Sequence, residues 1–201
     1  MATFVSAIII AAGESVRMGF PKPLLSWEGL PLIQYQISSL ITAGINQVVV
    51  VLGHQHELIA PYVDSSLVDL VINHQYKSGK TTSIKAGLDA VVDAATDIAL
   101  ISIDQPRPPE ITAAIIREHS TVGALITSPI HEGKNGHPLI FSAKLKESLK
   151  SISEDAQGIR EVFKTHRSDI HRHEIGSSII TLDINDPESY RKAKAHYSKN
   201  R

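Results

Sequence analysis

The run Ile8-Ile9-Ile10 is apolar and β-branched, and it empties directly into AAGESVRMGFPK, residues 11–22. A buried strand that opens into a glycine-containing loop brings backbone close to whatever binds there. Gly13 and Gly19 permit tight turns, and successive N–H groups in such a loop form an anion-binding concavity. Arg17 can fork onto phosphate oxygens, and Lys22 can set a point charge against one of them. This is the chemistry a triphosphate needs. The plainer reading is a strand-to-helix connection with surface charges. Two glycines, Ser15, Arg17, Pro21 and Lys22 at fixed spacing behind a first strand count against it.

Two better-known phosphate loops do not fit. The dinucleotide fingerprint G-x-G-x-x-G is absent, because only Gly13 and Gly19 are available. A Walker A loop ending at Gly79-Lys80-Thr81 would need glycine at position 74, which is His74.

Downstream, apolar runs alternate with segments of helical period, the pattern of an α/β fold with a mainly parallel sheet. Strands are expected at residues 6–11, 47–52, 68–73, 97–103, 124–128 and 138–141, with a further pair at 170–174 and 178–182. Helices are expected at residues 31–43, 55–62, 82–92, 109–118, 143–150, 158–165 and 187–197. Pro31, Pro109 and Pro187 suit first helical turns, and Gly44 suits a helix stop. A length of 201 residues with no repeat and no Pro/Gly/Ser-rich linker points to one domain spanning 1–201.

Charge and cysteine content narrow the function classes. Twenty basic against twenty-one acidic residues leave a net charge of −1, which gives no electrostatic case for nucleic acid. Zero cysteines exclude disulfides, thiolate metal sites and a cysteine nucleophile. With no leader pattern and no apolar run of membrane-spanning length, the expected location is the cytoplasm, with no membrane partner.

In open α/β sheets, ligands collect beyond the carboxyl ends of the strands. That rule gathers residues 12–22, 53–56, the stretch after Asn73, residues 104–106 and residues 133–138 along one edge. Asp104 ends the buried run 98–103 at that edge. A carboxylate there suits magnesium, which takes hard oxygen donors together with phosphate oxygens. It equally suits the N-cap of the helix that follows. His54-x-His56 and His171-x-His173 lack the helical i, i+4 pairing and the third ligand of a catalytic zinc site.

The pattern A-A-G-x-S-x-R-M-G-x-P-K-x-L-L resembles the signature of the MobA-like nucleotidyltransferases, and most closely their molybdenum cofactor cytidylyltransferase branch. The resemblance continues in order through Gly79-Lys80-Thr81-Thr82-Ser83-Ile84, Asp104-Gln105-Pro106, Gly136-His137-Pro138, Gly158-Ile159-Arg160 and Leu182-Asp183-Ile184-Asn185. It implies a Rossmann-like α/β/α sandwich of the nucleotide-diphospho-sugar transferase type. It also implies a Mg2+- or Mn2+-dependent enzyme that uses CTP, acts on a molybdopterin-type acceptor and works beside a molybdoenzyme or insertion chaperone.

By the same resemblance, Arg17, Lys22 and Asp104 are the catalytic set. Ala11, Ala12, Gly13, Ser15, Arg17, Met18, Gly19, Lys22, Gly79, Thr82, Ser83 and Asp104 bind the nucleotide. Gly136, His137, Pro138 and Arg160 bind the acceptor. Asp104 holds the metal with a second ligand from the C-terminal segment, where register favours Asn185 over the flanking Asp183 and Asp186. Relatives usually carry a carboxylate at that second position, so Asn185 is a departure. Ala11-Ala12-Gly13 matches the cytidine branch rather than the guanylyl branch, which has A-G-G.

Three other readings stay open: transfer to another phosphorylated metabolite, a nicotinamide-dependent oxidoreductase, and a nucleotide-binding accessory protein without turnover. The last is kept open by Ile103, where relatives commonly have glycine, and by Arg107 just beyond the aspartate.

Overall fold

The computed structural model describes residues 3–199. The first strand, β1 (Val5–Ala11), is buried along its whole length. Its side chains alternate between two cores. Val5, Ala7, Ile9 and Ala11 face one, while Ile8 and Ile10 face the other. A strand buried on both faces must be sandwiched between helix layers, and that fixes the architecture.

A short hairpin, β2 (Ser26–Trp27) and β3 (Leu30–Pro31), follows, then α1 (Leu32–Thr42) and β4 (Gln47–Leu52). Next come α2 (His56–Ile59), β5 (Asp69–Ile72), α3 (Lys80–Ala90), β6 (Asp97–Ser102), α4 (Pro109–Val122) and β7 (Ile126–His131). The chain closes with β8 (Lys134–Asn135), β9 (Leu139–Ser142), α5 (Lys146–Ser151), α6 (Ile159–Thr165), β10 (Ile170–Glu174) and α7 (Pro187–Lys199).

The main sheet runs β10-β7-β9-β6-β1-β4-β5, with β8 paired to β7. The left half is mixed, since β9 lies antiparallel between β6 and β7. The right half is parallel: β1 pairs with both β4 and β6, and β4 with β5. Side chains of α1, α4 and α7 build one core, with Ile33, Leu40, Ile115 and Tyr197 in it. Those of α3, α5 and α6 build the other through Ile84, Leu88, Leu149 and Val162. The expected three-layer α/β/α sandwich is the observed one. No helix among the described residues is long and apolar enough to cross a membrane.

Several expected elements differ. Residues 178–182 form not a strand but the 3-10 turn Ser178–Thr181, with Ile179 and Ile180 both buried. Two consecutive buried residues break the alternation a strand needs. The helix expected at 55–62 is only one α-turn, His56–Ile59, before a 3-10 turn over Ala60–Tyr62 that contains Pro61. Pro31 ends β3 in extended geometry instead of opening the helix. The β2–β3 hairpin had no periodic signal, being two residues per strand. It seats Trp27, fully buried, edge-on against Tyr197 with ring centroids 5.1 Å apart.

Candidate functional site

The carboxyl ends of β1, β4, β5 and β6 meet at one edge, as the strand-end rule requires. The loop after β1 leaves through Ala12 and Gly13 and turns at Ser15, whose φ of 54° is left-handed. The Ser15 carbonyl accepts from the Met18 N–H at 2.9 Å, and its hydroxyl accepts from the Lys22 N–H at 3.2 Å. One serine thus pins the middle and the far end of the loop. Met18 and Ala11 turn inward and pack in the core, where they support the loop from beneath.

Across the cleft stands Asp104, just past β6. The Lys22 ammonium donates to its Oδ2 at 2.9 Å, and both side chains are only partly exposed. The Ile184 N–H donates to the Asp104 carbonyl at 2.8 Å, which clasps the C-terminal segment onto the end of β6. From that segment Asn185 Oδ1 accepts from the Arg17 guanidinium at 3.1 Å. Three stretches far apart in sequence therefore converge on one charged cleft.

The three C-terminal candidates separate by their partners. Asp186 accepts from the Ser189 N–H at 2.7 Å and caps α7; those bonds hold its carboxyl below the usual range. Desolvation raises the Asp183 carboxyl, and the nearby Asp104 charge pushes the same way against a hydrogen bond from Gln105. Asp104 and Asp183 thus form a pair of carboxylates that repel each other, and the Asn185 amide oxygen comes from the same C-terminal segment as Asp183. That donor set is all oxygen and suits a hard divalent cation.

A cavity of about 240 Å³ is lined by Ala12, Gly13, Ser15, Lys22, Gly79, Ser83 and Asp104 among the expected residues. Gly13 has open space where a side chain would stand, and no described residue fills that part of the cleft. Arg17, Gly19 and Thr82 do not line it. Arg17 reaches Asn185 at the rim, and Gly19 serves the turn with its φ of 67°. The Thr82 hydroxyl faces the carbonyls of Gly79 and Gln75 at 2.8 and 3.1 Å, which ties down the loop before α3.

A second cavity, of about 310 Å³, adjoins it and is lined in part by His137, Glu154, Gln157 and Arg160. Burial first, then the charges of Arg107 and Lys80, press the His137 imidazole down to about 3, so it is neutral near pH 7. Gly136 and Pro138 do not line this cavity. A side chain at Gly136 would stand 2.5 Å from the Ile180 carbonyl oxygen, so its glycine serves packing.

Sequence reasoning missed the group at the junction. Ile10, Lys80 and Ser102 line both cavities, and Lys80 is the cation among them. Its ammonium donates to the Ser102 hydroxyl at 2.6 Å. Glu154 was missed too. Its carboxylate accepts from the Thr81 N–H at 2.7 Å, at the start of α3. The residue before that helix has to be glycine: Gly79 has a φ of 112°, and a side chain there would strike Glu154 at 2.4 Å.

Arg107 is wholly buried and donates to the carbonyls of Pro106, His137, Ile180 and Leu182 at 2.7–3.1 Å. Burial lowers its guanidinium to about 10, which leaves it cationic at neutral pH. It is the internal clasp that holds the strand-end loops in register.

The MobA-like NTP transferase domain family matches residues 7–171. The chain is 28% identical over 200 residues to the molybdenum cofactor cytidylyltransferase of Escherichia coli K12, covering 97% of this chain and 98% of that one. It is 29% identical over 161 residues to the nicotine blue oxidoreductase of Paenarthrobacter nicotinovorans, covering 76% and 78% of the two. In fold it resembles the crystal structure of Rv0371c from Mycobacterium tuberculosis H37Rv, with a TM-score of 0.85 at 23% identity and coverage of 96% and 99%. The family match runs from the first strand to the last and takes in the β1 loop and Asp104: this chain belongs to the MobA-like NTP transferases and is a nucleotidyltransferase.

Proposed function

We propose that this enzyme transfers a cytidylyl group from CTP to the phosphate of a molybdopterin-type acceptor, releasing pyrophosphate. The observation that carries the reading is the Lys22–Asp104 contact at 2.9 Å, inside a cleft floored by Gly13 and Ser15. A cation for phosphate and a carboxylate for metal face the same small volume. The near full-length similarity to a molybdenum cofactor cytidylyltransferase supports the acceptor class, and a molybdoenzyme or insertion chaperone in the cytoplasm is the natural recipient.

Asp104 and Asn185, with Asp183 nearby, would hold Mg2+ or Mn2+, which supplies charge neutralisation for the triphosphate when bound. Ala12, Gly13, Ser15, Gly79 and Ser83 cradle the nucleotide. Ala11, Met18, Gly19 and Thr82 shape the loops that do so. Arg17 grips the outer phosphates that leave as pyrophosphate. On ligand entry Lys22 exchanges its carboxylate partner for the α-phosphate and offsets charge that builds there. An acceptor phosphate oxygen bonds to the α-phosphorus as the bond to the leaving pyrophosphate breaks. Positioning and charge supply most of the rate in such transfers, and no general base is required. On the acceptor side, Arg160 and the neutral His137 orient the acceptor, with Gly136 and Pro138 holding His137 in place. Lys80 faces the point where the two substrates meet.

Incubation with each of the four triphosphates and molybdopterin, read as pyrophosphate release, tests the reading. CTP is expected to be preferred; preference for GTP would overturn the base assignment made from Ala12. The similarity to nicotine blue oxidoreductase favours a second reading, hydride transfer from a nicotinamide cofactor. Against it, Leu52-Gly53-His54 at the end of β4 offers no acid for the ribose hydroxyls. Oxidation of NADH or NADPH by the protein, with a quinonoid dye added as hydride acceptor and no CTP present, would favour it.

A further inference from the structure

Among the described residues, one cluster of three His, Asp or Glu side chains closes tightly enough to share an ion: Glu118, His171 and His173. None of them lines either cavity. His171 and His173 are two apart on β10, so alternation puts both rings on one face of the strand. Their rings stack with centroids 6.1 Å apart and 28° between planes. α4 packs on that face and presents Glu118. The Glu118 Oε1 lies 2.8 Å from His171 Nε2 and 3.6 Å from His173 Nδ1, and all three side chains are half-buried. One carboxylate oxygen thus serves two imidazoles, and the three ligand atoms lie within 4.8 Å of one another.

Sequence spacing alone offered no third ligand for His171-x-His173, because Glu118 comes from a helix 53 residues away. We infer that Glu118, His171 and His173 form a second cation site, separate from the catalytic cleft, for a borderline divalent metal of the zinc type. Two imidazoles and one carboxylate are the donor set such ions prefer, with a fourth position left to water. Magnesium, which asks for oxygen donors, is disfavoured there, so the two sites sort their metals by ligand chemistry. Zinc with donors at about 2.0–2.1 Å sets them roughly 3.4 Å apart, so the Glu118–His171 pair opens slightly while the wider separations close. Side-chain rotation of about an ångström from the present separations achieves this. The bound ion ties β10, the outermost strand, whose only sheet neighbour among the described residues is β7, to α4.

The test uses the full chain, stripped with chelator, titrated with Zn2+ by calorimetry and with Co2+ by visible absorption. One equivalent of Zn2+ should bind, raise the melting temperature and survive millimolar Mg2+. Co2+ should give the intense d–d bands of a four-coordinate site. His171→Ala/His173→Ala and Glu118→Gln should each weaken zinc at least tenfold, while Asp104→Asn retains it. Because the double variant loses two side chains at a sheet edge, Glu118→Gln serves as the conservative check on folding. Absence of a stoichiometric zinc equivalent in the wild type, or zinc affinity unchanged from wild type in the histidine and Glu118 variants, would overturn the site.

Discussion

The Lys22 ammonium sits 2.9 Å from the Asp104 carboxylate, joining the loop after the first strand to the end of β6 across 82 positions of sequence. Each partner is held by its own element. Lys22 is fixed through its N–H on the Ser15 hydroxyl, and Asp104 through its carbonyl on the Ile184 N–H. The two charges satisfy each other. On the proposed reading, a metal–triphosphate would separate them by giving each a stronger partner.

Replacing Lys22 with alanine removes the cation expected to face the α-phosphate. Turnover should fall by about 2–4 kcal/mol of transition-state stabilisation, or roughly 30- to 1000-fold, with the fold intact. Steady-state pyrophosphate release, with circular dichroism as a control, measures it. Near-normal turnover would remove Lys22 from the reaction.

Lys80 borders both cavities, so its loss should be felt on the acceptor side. Lys80→Met is expected to raise the acceptor KM and lower kcat while leaving CTP affinity by calorimetry within about threefold, a change under 1 kcal/mol. Weakened CTP binding with an unchanged acceptor KM would place Lys80 on the nucleotide instead.

Arg107 saturates four backbone carbonyls from inside the protein. Arg107→Met strands several of these acceptors in a buried setting, and each orphaned group costs about 1–3 kcal/mol. A loss of at least about 3 kcal/mol in urea unfolding is expected. A change under about 1 kcal/mol would show that water replaces the guanidinium freely.

His137 is a base whose native value, about 3, lies below its ordinary 6.5. The unfolded chain therefore binds a proton that the native state refuses between those values. Stability should rise with pH through that window and fall as pH drops from 6.5 toward 3, by up to about 1.4 kcal/mol per pH unit from this group. His137→Gln should flatten that part of the profile in denaturant unfolding run at several pH values. An unchanged slope would show that the ring already titrates freely in the native state.

The parallel half of the sheet was legible in the sequence because β1, β4 and β6 are continuous apolar runs. The cleft was legible because the strand-end rule places the loops after them together. The mixed half was not. β9 inserts antiparallel between β6 and β7, and nothing in its four residues records its direction. Lys80 escaped notice because its place between two cavities depends on where they touch in the fold. Arg107, read as a site oddity beside Asp104, is a structural clasp whose carbonyl partners leave no trace in sequence. Glu118 reaches the histidines of β10 by the same kind of tertiary meeting.

The account rests on the cleft between Lys22 and Asp104 holding a metal–triphosphate. Titration of Mn2+ with CTP, followed by the loss of the free-ion electron paramagnetic resonance signal, reads this directly. The wild type should form a ternary complex that needs both Mn2+ and CTP, and Asp104→Asn should lose it. Equal ternary binding by Asp104→Asn would contradict the account.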